Sequence, residues 1–76
     1  MKLSEMALGA IGRVRSIDAG SGELEAKLRE VGFAEGDEVE MLAQGPFRKR
    51  TIAVRLNRSI VALRGAEAAM VQVELI

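Results

Sequence analysis

The sequence predicts a mainly β domain, a small half-open barrel of five strands with one helix after the first strand. Three observations predict this class. Short runs of alternating apolar and polar residues recur along the 76 residues. Most breaks between these runs are short enough to be tight turns. Barrel closure also hides strand edges that so small a sheet otherwise exposes.

The first strand and the helix follow each other directly. Ile11 to Ile17 interleaves apolar residues with arginines and predicts a strand. After a glycine-rich break, Ser21 is placed as the N-cap of a helix. One apolar residue per helical turn then forms a single stripe, which consists of Leu24, Leu28 and Val31.

The end of the helix is predicted at Gly32. A glycine in the left-handed conformation there produces a Schellman cap, in which the next residue contacts the last turn. We therefore expect Phe33 to fold back onto Leu28 rather than face solvent. Residues 34–37 then form a turn.

Four further strands complete the barrel. Asn57 and Arg58 make a two-residue hairpin, since Asn tolerates positive φ. Residues 66–70 predict a helical turn before the last strand. The predicted strands cover residues 38–42, 50–56, 59–63 and 71–75.

The predicted core collects the apolar side of each element. Ile60 and Val61 point to opposite faces of one strand, so one of them is expected to be less buried. The predicted core residues are Leu24, Leu28, Val31, Val39, Met41, Ile52, Val54, Ile60, Val61, Leu63 and Val73.

Composition excludes most catalytic and metal-binding classes. The chain is 49% hydrophobic but has no Cys, His, Trp or Tyr. Disulfides and a structural zinc site are therefore excluded, and acid–base chemistry is left to carboxylates, Lys and Arg. We expect no enzyme, no catalytic residues, no bound cofactor and no tight metal site.

The charges are sorted along the chain although the net charge is zero. Residues 23–40 carry seven acidic and two basic residues, whereas residues 41–66 carry six basic residues and no acidic one. The centre of the basic part, Phe47, Arg48, Lys49 and Arg50, is the candidate partner-binding segment. A solvated hairpin, a docking surface for an acidic protein or the anionic cytoplasmic leaflet, and a nucleic-acid contact remain alternatives.

Three other patterns have a structural interpretation. Gly20-Ser21-Gly22 is read as a turn with an N-cap, because a phosphate-binding turn needs Gly rather than Glu25 three residues on. The acidic residues of 35–40 fit no calcium loop and indicate a solvated strand face. Met41 and Met70 are read as core-filling side chains.

The distribution of apolar residues along the chain indicates where in the cell the protein is expected. Residues 1–6 lack the apolar run of a signal peptide, and no segment reaches the roughly 20 apolar residues of a membrane helix. We expect a cytoplasmic, stand-alone protein that forms one domain over residues 1–76.

The order of motifs resembles a known family. Leu28-xx-Val31-Gly32-Phe33-xx-Gly36-Asp37-x-Val39 is the most specific run, and Ala62-Leu63-Arg64-xx-Glu67-Ala68 supports it. Together they are similar to the FeoA family, small accessory proteins of bacterial ferrous-iron uptake. The resemblance covers nearly the whole chain and implies an SH3-like barrel.

The resemblance implies a regulatory role through protein–protein interaction. The implied partner is the cytoplasmic GTPase part of the FeoB ferrous-iron transporter, through which alone the chain meets the membrane. Transition-metal binding is implied only for the family as a whole, and no nucleic acid is expected. The alternatives are a nucleic-acid-binding barrel that uses the Arg-rich hairpin, and a FeoA-like module of an iron-dependent regulator.

Two departures from the family pattern are visible. Similar sequences usually have Pro where Glu35 stands, and this change is expected only to loosen a turn. They also carry a Gly-Asp-Pro-like turn where this chain has the basic residues of 45–50. Contacts made by that hairpin are therefore expected to be particular to this protein.

Overall fold

A computed structural model describes residues 1–45 and 51–76. A 3-10 turn over Leu3–Glu5 precedes the first strand. The strands are β1 Ile11–Ile17, β2 Glu38–Gln44, β3 Thr51–Leu56, β4 Ser59–Arg64 and β5 Val71–Leu75, and the helices are α1 Gly22–Val31 and the single turn α2 Gly65–Ala68. The 3-10 turn was not predicted; the other elements follow the predicted order, and their bounds differ from the predicted ones by at most two residues.

The five strands form one antiparallel sheet in the order β4-β3-β2-β1-β5. The predicted mainly β, SH3-like class is confirmed. The sheet is not closed, because β4 and β5 lie at its two ends and do not pair with each other. Barrel closure was expected to hide the strand edges, but in this open sheet it does not protect β4 and β5.

The two ends of the sheet differ in what covers them. The Met1 carbonyl accepts from the Val73 N–H at 2.8 Å, and the Met1 ammonium donates to the Val73 carbonyl at 3.1 Å. Lys2 also forms a bridge with Gln72. An extended N-terminal segment thus pairs with the outer edge of β5. Within the described residues, β4 pairs only with β3.

Two irregularities bend the sheet. The register shifts between Val14 and Ser16 in β1 and between Met41 and Ala43 in β2. Each shift leaves one residue, Arg15 or Leu42, without a partner across the ladder, which is the pattern of a β-bulge. Bulges increase local twist and bend the strand that carries them. The sheet can therefore curve around one small core.

The core lies on the concave side and consists of apolar side chains alone among the described residues. Seven predicted members are buried: Leu28, Val39, Met41, Ile52, Val54, Leu63 and Val73. Val61 and Met70 are half-buried and pack against them. Eight further residues are buried that were not in the predicted core, although Phe33 was expected to fold back onto Leu28: Leu3, Met6, Val14, Ile17, Phe33, Leu56, Ala68 and Val71.

Three predicted core residues are exposed: the predictions for Leu24 and Val31 were wrong, and Ile60 is the less buried of the pair Ile60 and Val61, of which one was expected to be so. Leu24 and Val31 are 36% and 44% exposed, because α1 contacts the rest of the molecule through a narrow strip in which only Leu28 is buried. Ile60 is 67% exposed because β4 directs Val61 and Leu63 toward the core. Strand alternation then directs Ile60 outward.

Both helix caps of α1 are confirmed. The Ser21 hydroxyl accepts the Leu24 N–H at 3.2 Å. Gly32 has a φ of 126°, and the Phe33 N–H donates to the Leu28 carbonyl at 3.2 Å, the long hydrogen bond of a Schellman motif. Phe33 is 1% exposed, so its side chain belongs to the core.

The hairpin between β3 and β4 is also confirmed. Leu56 pairs with Ser59, which leaves Asn57 and Arg58 as the two turn residues. Asn57 has a φ of 56°, the left-handed conformation that Asn tolerates. This register decides which backbone groups of β4 point away from the sheet.

Candidate protein-binding surface

The predicted binding segment Phe47, Arg48, Lys49 and Arg50 lies outside the described residues. Arg55, five residues further on in β3, lies within the described residues. The guanidinium of Arg55 lies 3.0 Å from the carboxylate of Glu40 on β2. The charge of Arg55 is therefore neutralised locally, although residues 41–66 themselves carry no acidic residue. The acid comes from the adjacent strand rather than from the nearby sequence.

Four basic side chains remain without an ion-pair partner in the described residues: Lys2, Lys27, Arg58 and Arg64. All eleven acidic residues of the chain lie within the described ranges. Their carboxylates form five ion pairs, and these involve only Arg13, Arg15, Arg29 and Arg55. Lys27, Arg58 and Arg64 are all exposed, so their charges are available to a partner.

An apolar groove includes Lys27 in its wall, and Arg64 directly follows another of its lining residues, Leu63. Helix α1 forms one wall, and β4 with α2 and the residues that follow forms the other. The groove has a volume of about 220 Å³. Its lining residues are Leu24, Lys27, Leu28 and Val31 from α1, and Ala62, Leu63, Glu67 and Met70 from the other wall.

The groove exists because the helix packs through one residue only. Leu28 and Leu63 are buried at its floor, whereas Leu24 and Val31 are exposed at its wall. Small-molecule pockets generally exceed about 300 Å³. The groove is smaller than that and is suited to one or two apolar side chains of a protein partner.

The outer face of the sheet has a different character. Arg13 pairs with Glu38 at 3.2 Å and Arg15 pairs with Glu74 at 3.0 Å, and all four side chains are well exposed. Cross-strand charge pairs of this kind stabilise a sheet weakly. The interpretation of the acidic residues of β2 as a solvated strand face agrees with this placement.

A charge cluster ties α1 to the turn that follows it. The Arg29 guanidinium donates to both carboxylate oxygens of Glu35 at 3.0 Å and to Glu25 at 2.9 Å. The hydrogen bonds from Arg29 lower the pKa of Glu35 from its usual 4.5 to about 2. Glu35 therefore holds this turn through a bidentate ion pair, whereas it was expected only to loosen the turn.

Metal-ligating groups do not converge in the described residues, where no three acidic side chains come together. Every buried side-chain polar atom there has a hydrogen-bond partner. The groove and the unpaired cations near it form a surface suited to binding a protein.

Sequence reasoning missed the groove residues as a site. Leu24 and Val31 follow the same stripe as Leu28, so the pattern alone assigned all three to the core. No feature of the sequence separates them from Leu28, because three apolar residues in ten are usual for a helix that packs through one face.

Comparison with known proteins places the chain in a family. A sequence model of the FeoA domain matches residues 1–75, so the chain belongs to the FeoA domain family. This family is implicated in ferrous-iron transport, as an accessory domain rather than a known enzyme. A search of curated proteins found no match.

Solved structures agree with the family assignment. The zinc complex of Stenotrophomonas maltophilia FeoA is 36% identical with a TM-score of 0.84, and the match covers 97% of this chain and 89% of that one. It is described as a procaryotic SH3 domain protein and a candidate ferrous iron transport activating factor. Iron(II) transport protein A of Clostridium thermocellum is 33% identical with a TM-score of 0.91, and this chain spans 46% of its length.

More distant structures share the fold alone. A manganese-dependent transcriptional repressor is 20% identical over the whole chain, with a TM-score of 0.90, and the match covers 41% of that protein. At this identity the likeness is evidence of architecture and not of function. In the described residues, no helix has the length and apolar character needed to cross a membrane.

Proposed function

We propose that this chain is a cytoplasmic accessory component of bacterial ferrous-iron uptake, and that it acts by direct contact with the cytoplasmic GTPase part of a FeoB-type transporter. The observation that carries the proposal is the apolar groove between α1 and β4, next to unpaired cations, in a member of the FeoA family. The chain meets the membrane only through this partner.

The geometry supports a binding role in two ways. Apolar side chains at the centre of an interface supply most of its affinity, and Leu24 and Val31 are exposed enough to do so. Charges around such a centre mainly speed association and set orientation. Lys27 lines the groove, and Arg64 directly follows the lining residue Leu63 in sequence.

The proposal is tested by calorimetric titration of the chain with the cytoplasmic GTPase-containing part of the transporter from the same organism. Wild type is expected to bind with a saturable isotherm. The double variant Leu24→Ser and Val31→Ser is expected to bind about tenfold more weakly or worse, since two apolar anchors are lost. Both residues are partly exposed, so the double variant is expected to keep its fold.

A matched control changes two exposed apolar residues away from the groove. Leu8 and Ile76 are 61% and 68% exposed, and the double variant Leu8→Ser and Ile76→Ser is expected to bind as wild type does. Equal loss in both double variants rejects the groove as the contact surface. Absence of binding by the wild-type protein rejects the proposed partner.

A further inference from the structure

We propose that the outer edge of β4 takes up an extended segment of the partner protein as an added strand, whose apolar side chains enter the groove beside α1. The proposal rests on the proposed function for the identity of that partner. The segment is expected to alternate apolar residues at its centre and to carry acidic residues at its ends.

The hairpin register determines the free backbone groups of β4. Leu56 and Ser59 flank the two-residue turn and form a hydrogen-bonded pair, so Val61 and Leu63 also direct their backbone groups to β3. The backbone groups of Ile60 and Ala62 then point outward. They have no backbone partner within the described residues.

The hydrogen bond of the Arg64 N–H agrees with this orientation. Arg64 has the same parity as Ile60 and Ala62, and its N–H donates to the Glu67 carboxylate at 2.9 Å outside the sheet. The edge is therefore capped at one end by a side chain and open over Ile60 and Ala62. Two residues of an added strand can form hydrogen bonds there.

The edge lacks the features that usually block strand addition. Natural edges are protected by Pro, Lys, bulges or a covering segment. β4 contains neither Pro nor Lys, and its six pairs with β3 show no register shift. At the other end of the sheet, Met1 and Lys2 cover β5 as an added extended segment. One edge is thus covered within the chain, and the other is open among the described residues.

The groove continues from this edge. Ala62 and Leu63 line it from β4, and Leu24 and Val31 face them from α1. Strand addition derives affinity from the main chain and specificity from pockets for alternate side chains. Alternate side chains of a strand point to the same face, so an added strand can direct one or two of them into the groove.

Charge favours an acidic partner over a second copy of this chain. Arg58 precedes β4, Arg64 ends it and Lys27 lies on the facing wall, and none of them is ion-paired in the described residues. Glu67 is the one acidic residue that lines the groove. An antiparallel pair of two β4 edges brings the cations of both copies to one seam, where they repel.

The test is amide hydrogen exchange of the wild-type protein, free and bound to the cytoplasmic GTPase-containing part of the transporter. In the free protein the Ile60 and Ala62 amides are expected to exchange quickly, and those of Val61 and Leu63 slowly. On binding, Ile60 and Ala62 are expected to slow by at least about tenfold. Binding without this protection overturns strand addition and leaves the proposed function intact.

A variant pair tests the same contact by affinity. Ala62→Pro removes an outward N–H, which a strand edge tolerates, whereas Ala62→Ser keeps it. We expect Ala62→Pro to bind about tenfold more weakly and Ala62→Ser to bind within about twofold of wild type. If Ala62→Pro does not fold, the exchange experiment on wild type decides alone.

Two further outcomes overturn the proposal. Protection of Ile60 and Ala62 in the free protein that rises with concentration, together with a dimer in sedimentation, assigns the edge to a second copy. Absence of any binding to the transporter fragment rejects the proposed function and, with it, this partner for the edge.

Discussion

Replacement of Leu28 by alanine tests how α1 is held to the sheet. Leu28 is 4% exposed and is the only buried residue of this helix. Leu→Ala changes at buried sites cost about 2–5 kcal/mol. Leu28 borders the groove, so the space it leaves opens to water, and we expect a loss of about 2–3 kcal/mol. For a domain of this size, that lowers the midpoint of thermal unfolding by roughly 10–20 °C.

Leu24→Ala is the matched control, because it is the same substitution one turn earlier on the same helix. Leu24 is 36% exposed, so its loss is expected to cost less than about 1 kcal/mol. Urea unfolding measures both variants, with the slope m checked to be unchanged. A Leu28→Ala variant within about 1 kcal/mol of wild type, or equal losses in both variants, refutes docking of α1 through this residue.

Three more predictions concern charge and metal. Glu35 has its pKa lowered in the folded state, so its contribution to stability is present above about pH 4.5 and is lost as the pH falls toward about 2. In urea unfolding from neutral to acid pH, Glu35→Gln is therefore expected to lose less unfolding free energy than wild type. Identical pH profiles of the two proteins contradict this. Anaerobic titration with Fe²⁺ is expected to show no micromolar site, because carboxylates without His or Cys hold this ion weakly; a stoichiometric micromolar site contradicts that expectation. Changing Arg48, Lys49 and Arg50 together to Ser, with Phe47 left as the anchor, is expected to slow association with the transporter fragment at low salt. The change is also expected to remove most of the salt dependence of the association rate. Equal association rates of variant and wild type at low salt assign these residues to solvated surface.

Features encoded within a few neighbouring residues were predictable. The helix begins after Ser21 and ends at Gly32 because the cap hydrogen bonds involve residues three to five positions apart. The β3–β4 hairpin follows from Asn57, whose positive φ the sequence anticipates. The burial of Phe33 follows from the same cap. In each case the physical cause lies inside the segment that shows it.

Features that depend on distant contacts were not predictable. Leu3 and Met6 are fully buried, yet they belong to a short turn without periodicity. Their burial depends on β1, where Gly12 leaves room for Met6. A Cβ on Gly12 would lie 3.3 Å from the Met6 sulfur and 3.3 Å from the Glu74 carbonyl oxygen. No local pattern in residues 1–6 indicates that Gly12 leaves room for Met6.

The candidate site combines both kinds of feature. The clustering of basic residues in 41–66 was visible in the sequence, but the partner of Arg55 was not, because Glu40 reaches it across the sheet. The groove was hidden for a similar reason. How closely α1 approaches β4 decides whether Leu24 and Val31 are core or surface, and that distance is set by tertiary packing.

The central claim, that this chain serves ferrous-iron uptake through contact at the groove, is tested most directly by uptake of labelled Fe²⁺ into cells that lack the chain. Expression of wild type, or of the Leu8→Ser and Ile76→Ser control, is expected to restore uptake. Expression of the Leu24→Ser and Val31→Ser variant at the same protein level is expected to leave uptake near that of the deficient cells. Full restoration by that groove variant, or no effect of the wild-type chain, contradicts the claim.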